Sequence, residues 1–191
     1  MPNRPTLLVI SGPPGAGKST LARVLADHLG CPAVIRDEIK QGMVLNVDPS
    51  LDGTDHLNFP VRDAFFDTIT VLLKAGVTVV AEAAFQDRLW RPGLEPLSEI
   101  ASIRVIRCTT PTGTIVQRIT QRTEDDAHRT AHADHRLLEE IAAGSYVPDS
   151  FVDISLDLPT LLVDTSDGYT PGIKEIIDFT EAPSRTSRER G

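Results

Sequence analysis

Short apolar runs alternate with stretches of helical periodicity along most of the chain. Thr6 to Ile10 is a continuous apolar run, the pattern of a parallel strand buried on both faces. A glycine-rich stretch, Ser11 to Gly17, follows it. Leu21, Val24, Leu25 and Leu29 then recur at helical spacing over Lys18 to Leu29, and Gly30 ends that helix. Pro32 to Ile35 predicts a second strand that runs into Arg36-Asp37-Glu38. Residues 46–58 are polar and turn-rich and predict a loop. From Pro60 to Ala75 a helix is expected, with Val61, Phe65, Ile69, Leu72 and Leu73 on one face and Gly76 as its stop. Val77 to Ala81 predicts the third strand, ending at Glu82, and a weak helix disturbed by Pro96 is expected around Leu94 to Ala101. Ile103 to Cys108 is the fourth strand. Thr110-Pro111 supplies an N-cap and a first-turn proline for a helix through about Gln121. A charged stretch from Arg122 to His135 leads into a helix ending at Gly144. Leu161 to Val163 is the fifth strand, and Thr170-Pro171 opens a last helix with Ile173, Ile176 and Ile177 inward.

Strands alternating with helices predict an α/β fold with a parallel sheet covered on both faces. The length of 191 residues and a hydrophobic fraction of 40% suit one domain, expected over residues 1–181, with a mobile polar tail at 182–191. Every apolar stretch is too short to span a membrane or to form a secretory signal. Cys31 and Cys108 are far apart and form no CxxC pair, so reduced thiols in a cytoplasmic protein are expected. The net charge of −8 disfavours a long nucleic acid as partner and favours a small molecule.

The segment Gly12-Pro13-Pro14-Gly15-Ala16-Gly17-Lys18-Ser19-Thr20 fits GxxxxGK[ST] and lies between a predicted strand and a predicted helix. Its glycines allow a tight loop whose backbone N–H groups converge on phosphate oxygens, and the helix N-terminus adds partial positive charge. Lys18 is expected to reach the β- and γ-phosphates, Ser19 to ligate Mg²⁺, and Thr20 to lie near the α-phosphate. ATP and Mg²⁺ are therefore the expected cofactors. No NKxD base-recognition motif follows.

Ligands of open α/β sheets bind beyond the carboxyl ends of the strands, where Asp37 lies. A carboxylate there could take the proton of an attacking hydroxyl, or it could cap the helix that follows. The phosphate loop followed by Val34-Ile35-Arg36-Asp37-Glu38-Ile39-Lys40-Gln41 resembles the kinase domain of phage-type polynucleotide 5′-hydroxyl kinases. It also resembles the wider group of small P-loop kinases that includes gluconate kinase and chloramphenicol phosphotransferase. Val77 to Phe85, the charged lid-like segment and Pro159 to Gly168 are similar to bacterial AAA family ATPase or kinase-like proteins, so that the resemblance spans residues 5–180. It implies a P-loop NTPase sandwich with a five-stranded parallel sheet in the order 2-3-1-4-5 and a helical lid at about residues 118–135. It also implies that Asp37 is the general base.

Glu82, at a strand end, is a candidate to hold Mg²⁺ through water or to contact the acceptor. Arg118 and Arg122 share a helical face, and Arg129 follows. Related kinases close such arginines over ATP, which makes Arg122 and Arg129 the catalytic candidates and Arg118 and Arg122 nucleotide contacts. Thr165 is expected near the adenine. His128, His132 and His135 have helical spacing, but no cysteine joins them and the phosphate loop calls for Mg²⁺, so zinc is disfavoured. Arg36, Asp37, Lys40 and Glu82 are the acceptor-binding candidates, with the loop at 46–58, Arg62 and Phe85 to Arg91 nearby; Trp90 could stack on a ring or pack inside. The expected activity is transfer of the γ-phosphate of ATP to a hydroxyl of a small molecule such as an antibiotic, nucleoside or sugar-like metabolite. A 5′-hydroxyl polynucleotide kinase and a nucleotide-binding regulatory ATPase are the alternatives.

Overall fold

The computed structural model describes residues 4–46, 55–125, 134–145 and 151–182. Five strands, β1 (Thr6–Ser11), β2 (Ala33–Ile35), β3 (Val79–Glu82), β4 (Ser102–Thr109) and β5 (Thr160–Asp164), form one all-parallel sheet in the order β2-β3-β1-β4-β5. Between them run α1 (Lys18–Leu29), α2 (Arg36–Val44), α3 (Asn58–Lys74), α4 (Asp87–Leu94), α5 (Thr112–Asp125) and α6 (Asp134–Ala142), and α7 (Ile173–Glu181) closes the chain. The strand order is the expected one.

The apolar run of β1 is continuous because both of its faces are covered. Leu7 and Val9 pack with Phe65, Ile69 and Leu73 of α3 and with Trp90 and Leu94 of α4. Leu8 and Ile10 point the other way, into Leu21, Ala22 and Leu25 of α1 and Ile176 of α7. Each such buried side chain stabilises by about 1.5–3 kcal/mol. The register places Ile10 beside Glu82 and Ile35 beside Glu82, so β2, β3 and β1 end level at one edge. That edge is where the site forms.

Two expectations change. The helix expected around Leu94 to Ala101 instead runs over Asp87–Leu94, so the acceptor-side candidate segment Phe85 to Arg91 leads into it. Trp90 is fully buried and meets Phe65, Phe66 and Phe85 with ring centroids 5.5–5.9 Å apart. It is a packing residue, of the kind whose truncation to alanine costs about 3–5 kcal/mol. The last helix is capped by Gly172, whose N–H donates to Glu175 at 3.0 Å, while Thr170 pairs with Asp164 in an isolated bridge. Asp48, Asp52, His128, Arg129, His132 and the tail beyond residue 182 lie outside the described residues.

The two thiols differ. Cys108 on β4 is buried, and desolvation pushes its pKa up to about 12; half-buried Cys31 is also raised by burial, though Val80 backbone hydrogen bonding opposes this. At pH 8 a thiol of pKa 12 is thiolate in only about one molecule in 10⁴. A thiol-specific reagent is therefore expected to label Cys31 first, and Cys108 only as the sheet opens. Peptide mapping of the labelled native protein checks this, and early Cys108 modification would contradict it.

Candidate active site

The turn from β1 into α1 has to be tight, and its glycines make it so. Gly12 adopts φ 138°, and a side chain there would overlap the Cys108 carbonyl oxygen. Gly17 is the N-cap of α1 at φ 69° and offers no side-chain cap. The first N–H groups of α1 are thus left for an outside acceptor, as in a helix N-terminus that holds an anion.

Lys18 is buried in the first turn of α1, and its Nζ donates to the Pro13 carbonyl at 2.9 Å and lies 3.7 Å from Glu82 Oε1. Ser19 Oγ donates to Glu82 Oε2 at 2.9 Å. Glu82 is 3% exposed, and burial raises its carboxyl above the ordinary range. Lys18 opposes that rise, nearby Asp37 adds to it, and Ser19 and Arg23 oppose it more weakly. A carboxyl with a raised folded pKa binds more protons folded than unfolded. Its contribution to stability therefore falls as pH rises from its ordinary value of 4.5 through the folded value. Glu82→Gln is expected to flatten the fall of Tm across that window; an unchanged Tm–pH slope would contradict the assignment.

α2 begins at Arg36 itself, with Ile35 as N-cap and no side-chain cap. Asp37 thus lies inside the first turn and is not the cap residue. Arg36 Nη1 donates to Asp37 Oδ1 at 2.9 Å and holds that carboxylate at the cleft wall. Lys40, expected at the acceptor, is buried on α2 and is not among the residues that line the cleft.

From the other side, α5 brings Arg118, Gln121 and Arg122 to the same cleft. Arg118 reaches carbonyl oxygens from two segments, Thr165 at 2.5 Å and Ser166 at 3.2 Å beyond β5, and Gly15 at 3.4 Å in the glycine loop. Thr165 is buried, and its hydroxyl donates to Ala16 at 3.1 Å. Arg118 and Thr165 thus brace the glycine loop against the β5 end. Arg122 is half-buried in the lining.

The cleft measures about 720 Å³, a volume suited to a small ligand. It gathers Pro14, Gly15, Gly17, Lys18, Ser19, Thr20, Arg36, Asp37, Glu82, Arg118, Arg122 and Thr165 of the expected residues. Arg23, Leu137 and Tyr169 also line it and were not foreseen. The position of Arg23 four residues after Ser19 was a usable signal, since i and i+4 share a helix face; Leu137 and Tyr169 follow no motif.

A family model described as an AAA domain (AAA_33) matches residues 7–144. The chain belongs to this AAA domain family. Among solved structures, a candidate kinase from Chloroflexus aurantiacus superposes on this AAA domain protein with a TM-score of 0.72 at 24% identity, covering 93% of this chain and 94% of the other. The APS kinase of Mycobacterium tuberculosis, solved with AMPPNP and APS, gives 0.63 at 17% identity over 95% and 100%. A chain of the Pnkp1/Rnl/Hen1 RNA repair complex gives 0.55 at 21% identity over 81% and 51%. Cytidylate kinase of Halobacterium salinarum is 47% identical over 45 residues, 24% of this chain, and the match spans only 23% of that curated relative. The solved structures share the fold of this AAA domain protein, and the family model spans its phosphate loop. Among the described residues no helix is long and apolar enough to cross a membrane.

Proposed function

We propose that this chain transfers the γ-phosphoryl group of ATP to a hydroxyl group of a small molecule. The observation that carries the reading is one cleft holding a phosphate loop, its lysine and, across the sheet edge, the Asp37 carboxylate. A phosphate loop without an acceptor-side carboxylate would serve nucleotide binding equally well.

The residues present fit Mg²⁺. Ser19 Oγ and Glu82 Oε2 are hard oxygen donors 2.9 Å apart at the loop's end. Ser19 would ligate the ion and Glu82 would hold it directly or through water. When bound, Mg²⁺ supplies charge neutralisation on phosphate oxygens. The open N–H groups of α1 and the Lys18 ammonium bind the phosphates. Asp37 orients the acceptor hydroxyl and takes its proton as the new O–P bond forms and the bond from the γ-phosphorus to the β,γ-bridging oxygen breaks, releasing ADP. Arg122, from the segment read as a lid, offsets the charge that spreads over the transferred group, and Arg129 is proposed to join it. Gly12 to Thr20, with Arg118 and Thr165 behind them, form the nucleotide side. Arg36, Asp37 and Glu82 form the acceptor side.

The likeness to APS kinase supports a small acceptor, and the net charge of −8 works against a grip on nucleic acid. The test is ATP consumption by the purified protein with Mg²⁺ and a panel of hydroxyl acceptors, read by mass spectrometry. Antibiotics, nucleosides, sugars and a 5′-hydroxyl oligonucleotide belong in the panel. A small molecule heavier by one phosphoryl group is the expected result. A phosphorylated oligonucleotide alone would replace the small acceptor with a polynucleotide, and ATP binding with no acceptor modified would point to a regulatory ATPase.

A further inference from the structure

Arg36 is held by three separate parts of the fold. Its Nη1 donates to Asp37 within α2, and its Nη2 donates to Asn58 Oδ1 at 2.9 Å at the start of α3. Its guanidinium carbon lies 5.9 Å from the ring centroid of Phe85, in the link from β3 to α4. The side chain is 16% exposed, and what remains open faces the cleft it helps to line. Its Nε is buried with no hydrogen-bond partner. A flexible surface arginine needs none of this support; a guanidinium fixed in plane by two hydrogen bonds and an aromatic ring is preorganised to bind something.

Two of the five guanidinium N–H groups are used by Asp37 and Asn58, and each terminal nitrogen keeps one more. A planar donor pair of this kind matches an oxyanion. Charge balance points the same way. Asp37 compensates Arg36 only while it is ionised, and a general base becomes neutral as it takes the acceptor's proton. At that moment a poorly solvated cation loses its counter-ion, which is expensive at low exposure. A second anion, carried in by the acceptor, would keep Arg36 paired through the reaction.

We infer that Arg36 binds an anionic group of the acceptor, a phosphate, sulfate or carboxylate, so that the substrate class is an anionic hydroxyl compound. This rests on the phosphotransfer reading above. Because Arg36 and Asp37 are 2.9 Å apart, the acceptor's hydroxyl and its anionic oxygen lie within roughly 9 Å of each other, allowing about 3 Å for each hydrogen bond.

The experiment compares acceptors in matched pairs that differ only in charge: a sugar and its phosphate, a nucleoside and its 3′-phosphate, a polyol and the related sugar acid. The charged member is expected to show kcat/KM about 10- to 100-fold higher, the worth of one or two charge-assisted hydrogen bonds. Arg36→Gln should erase that preference, and Arg36→Lys, which keeps the charge without the fork, should retain part of it. Equal use of neutral and charged members, or a preference that survives R36Q, overturns the inference while leaving phosphotransfer intact. A second measurement does not depend on turnover. With AMPPNP and Mg²⁺ filling the nucleotide side, sulfate binding is followed by calorimetry. Binding by the wild type that R36Q loses supports the anion site even if no acceptor is phosphorylated; equal sulfate binding by both proteins overturns it.

Discussion

Asp37→Asn is expected to lower kcat for phosphotransfer by about 10²- to 10⁴-fold, the range a positioned general base contributes, while ATP affinity stays within a few-fold of wild type. Asparagine keeps the shape of the side chain, can still accept a hydrogen bond from Arg36, and cannot take a proton from a hydroxyl. The nucleotide side, built from Gly12 to Thr20 and braced by Arg118 and Thr165, does not use Asp37. Single-turnover phosphotransfer and a separate nucleotide titration make the split visible. Turnover equal to wild type would leave Asp37 only as a favourable first-turn carboxylate of α2, which a helix N-terminus stabilises by about 0.3–1 kcal/mol.

Lys18→Ala is expected to abolish detectable phosphotransfer and also to lower stability, by a different route. Removing a donor proposed to reach the transferring phosphoryl group is worth at least about 10²- to 10³-fold. The structural loss comes from Glu82. With Lys18 gone, the buried carboxylate keeps the Ser19 hydroxyl but loses the cation 3.7 Å away that opposes its raised pKa. Stripping one partner from a buried pair costs about 3–5 kcal/mol. The sign with pH follows: below the ordinary carboxylate pKa Glu82 is protonated in both states and the loss vanishes, and it is complete above the further-raised folded pKa. Chemical denaturation of K18A at pH 5 and pH 8 is expected to show the larger deficit at pH 8, and Lys18→Ala with Glu82→Gln to recover most of it. A deficit independent of pH would mean that Lys18 stabilises by packing alone.

Most of the sheet was legible because a strand covered on both faces leaves an uninterrupted apolar run, and each of the five runs ended at a residue that now sits at the functional edge. The phosphate loop was legible for the same reason that it works: its glycines are demanded by contact with Cys108 and by left-handed backbone, so its pattern is rigid in sequence. The helix was expected later, over Leu94 to Ala101, whereas α4 holds Pro92 and Gly93 within it. The chain tolerates them because α4 is short and because Gly93 lies against the Phe66 ring, where no side chain fits. The burial of Lys40 was not legible, because an acid with basic residues around it does not show which side of a short helix faces inward. Arg118, expected as a nucleotide contact, lies in the cleft lining but is also bonded to the loop and to the β5 end. Its bonds to Thr165, Ser166 and Gly15 depend on segments 47 to 103 residues away in the chain, and no local spacing carries that information.

Cys108 is fully buried against Gly12 of the glycine loop, in the cluster that α1 and α7 form over the sheet. Its labelling rate is consequently a clock for one event, the local opening that lifts the loop from β4. Arg118 and Thr165 tie that loop to the β5 end, so the clock should tick at nearly the rate of sub-global unfolding in the empty protein. A nucleotide that binds only the closed loop slows it by the factor 1 + [L]/Kd. One buried thiol thereby turns nucleotide affinity into a chemical rate, measurable for any candidate ligand before its reaction partner has been found.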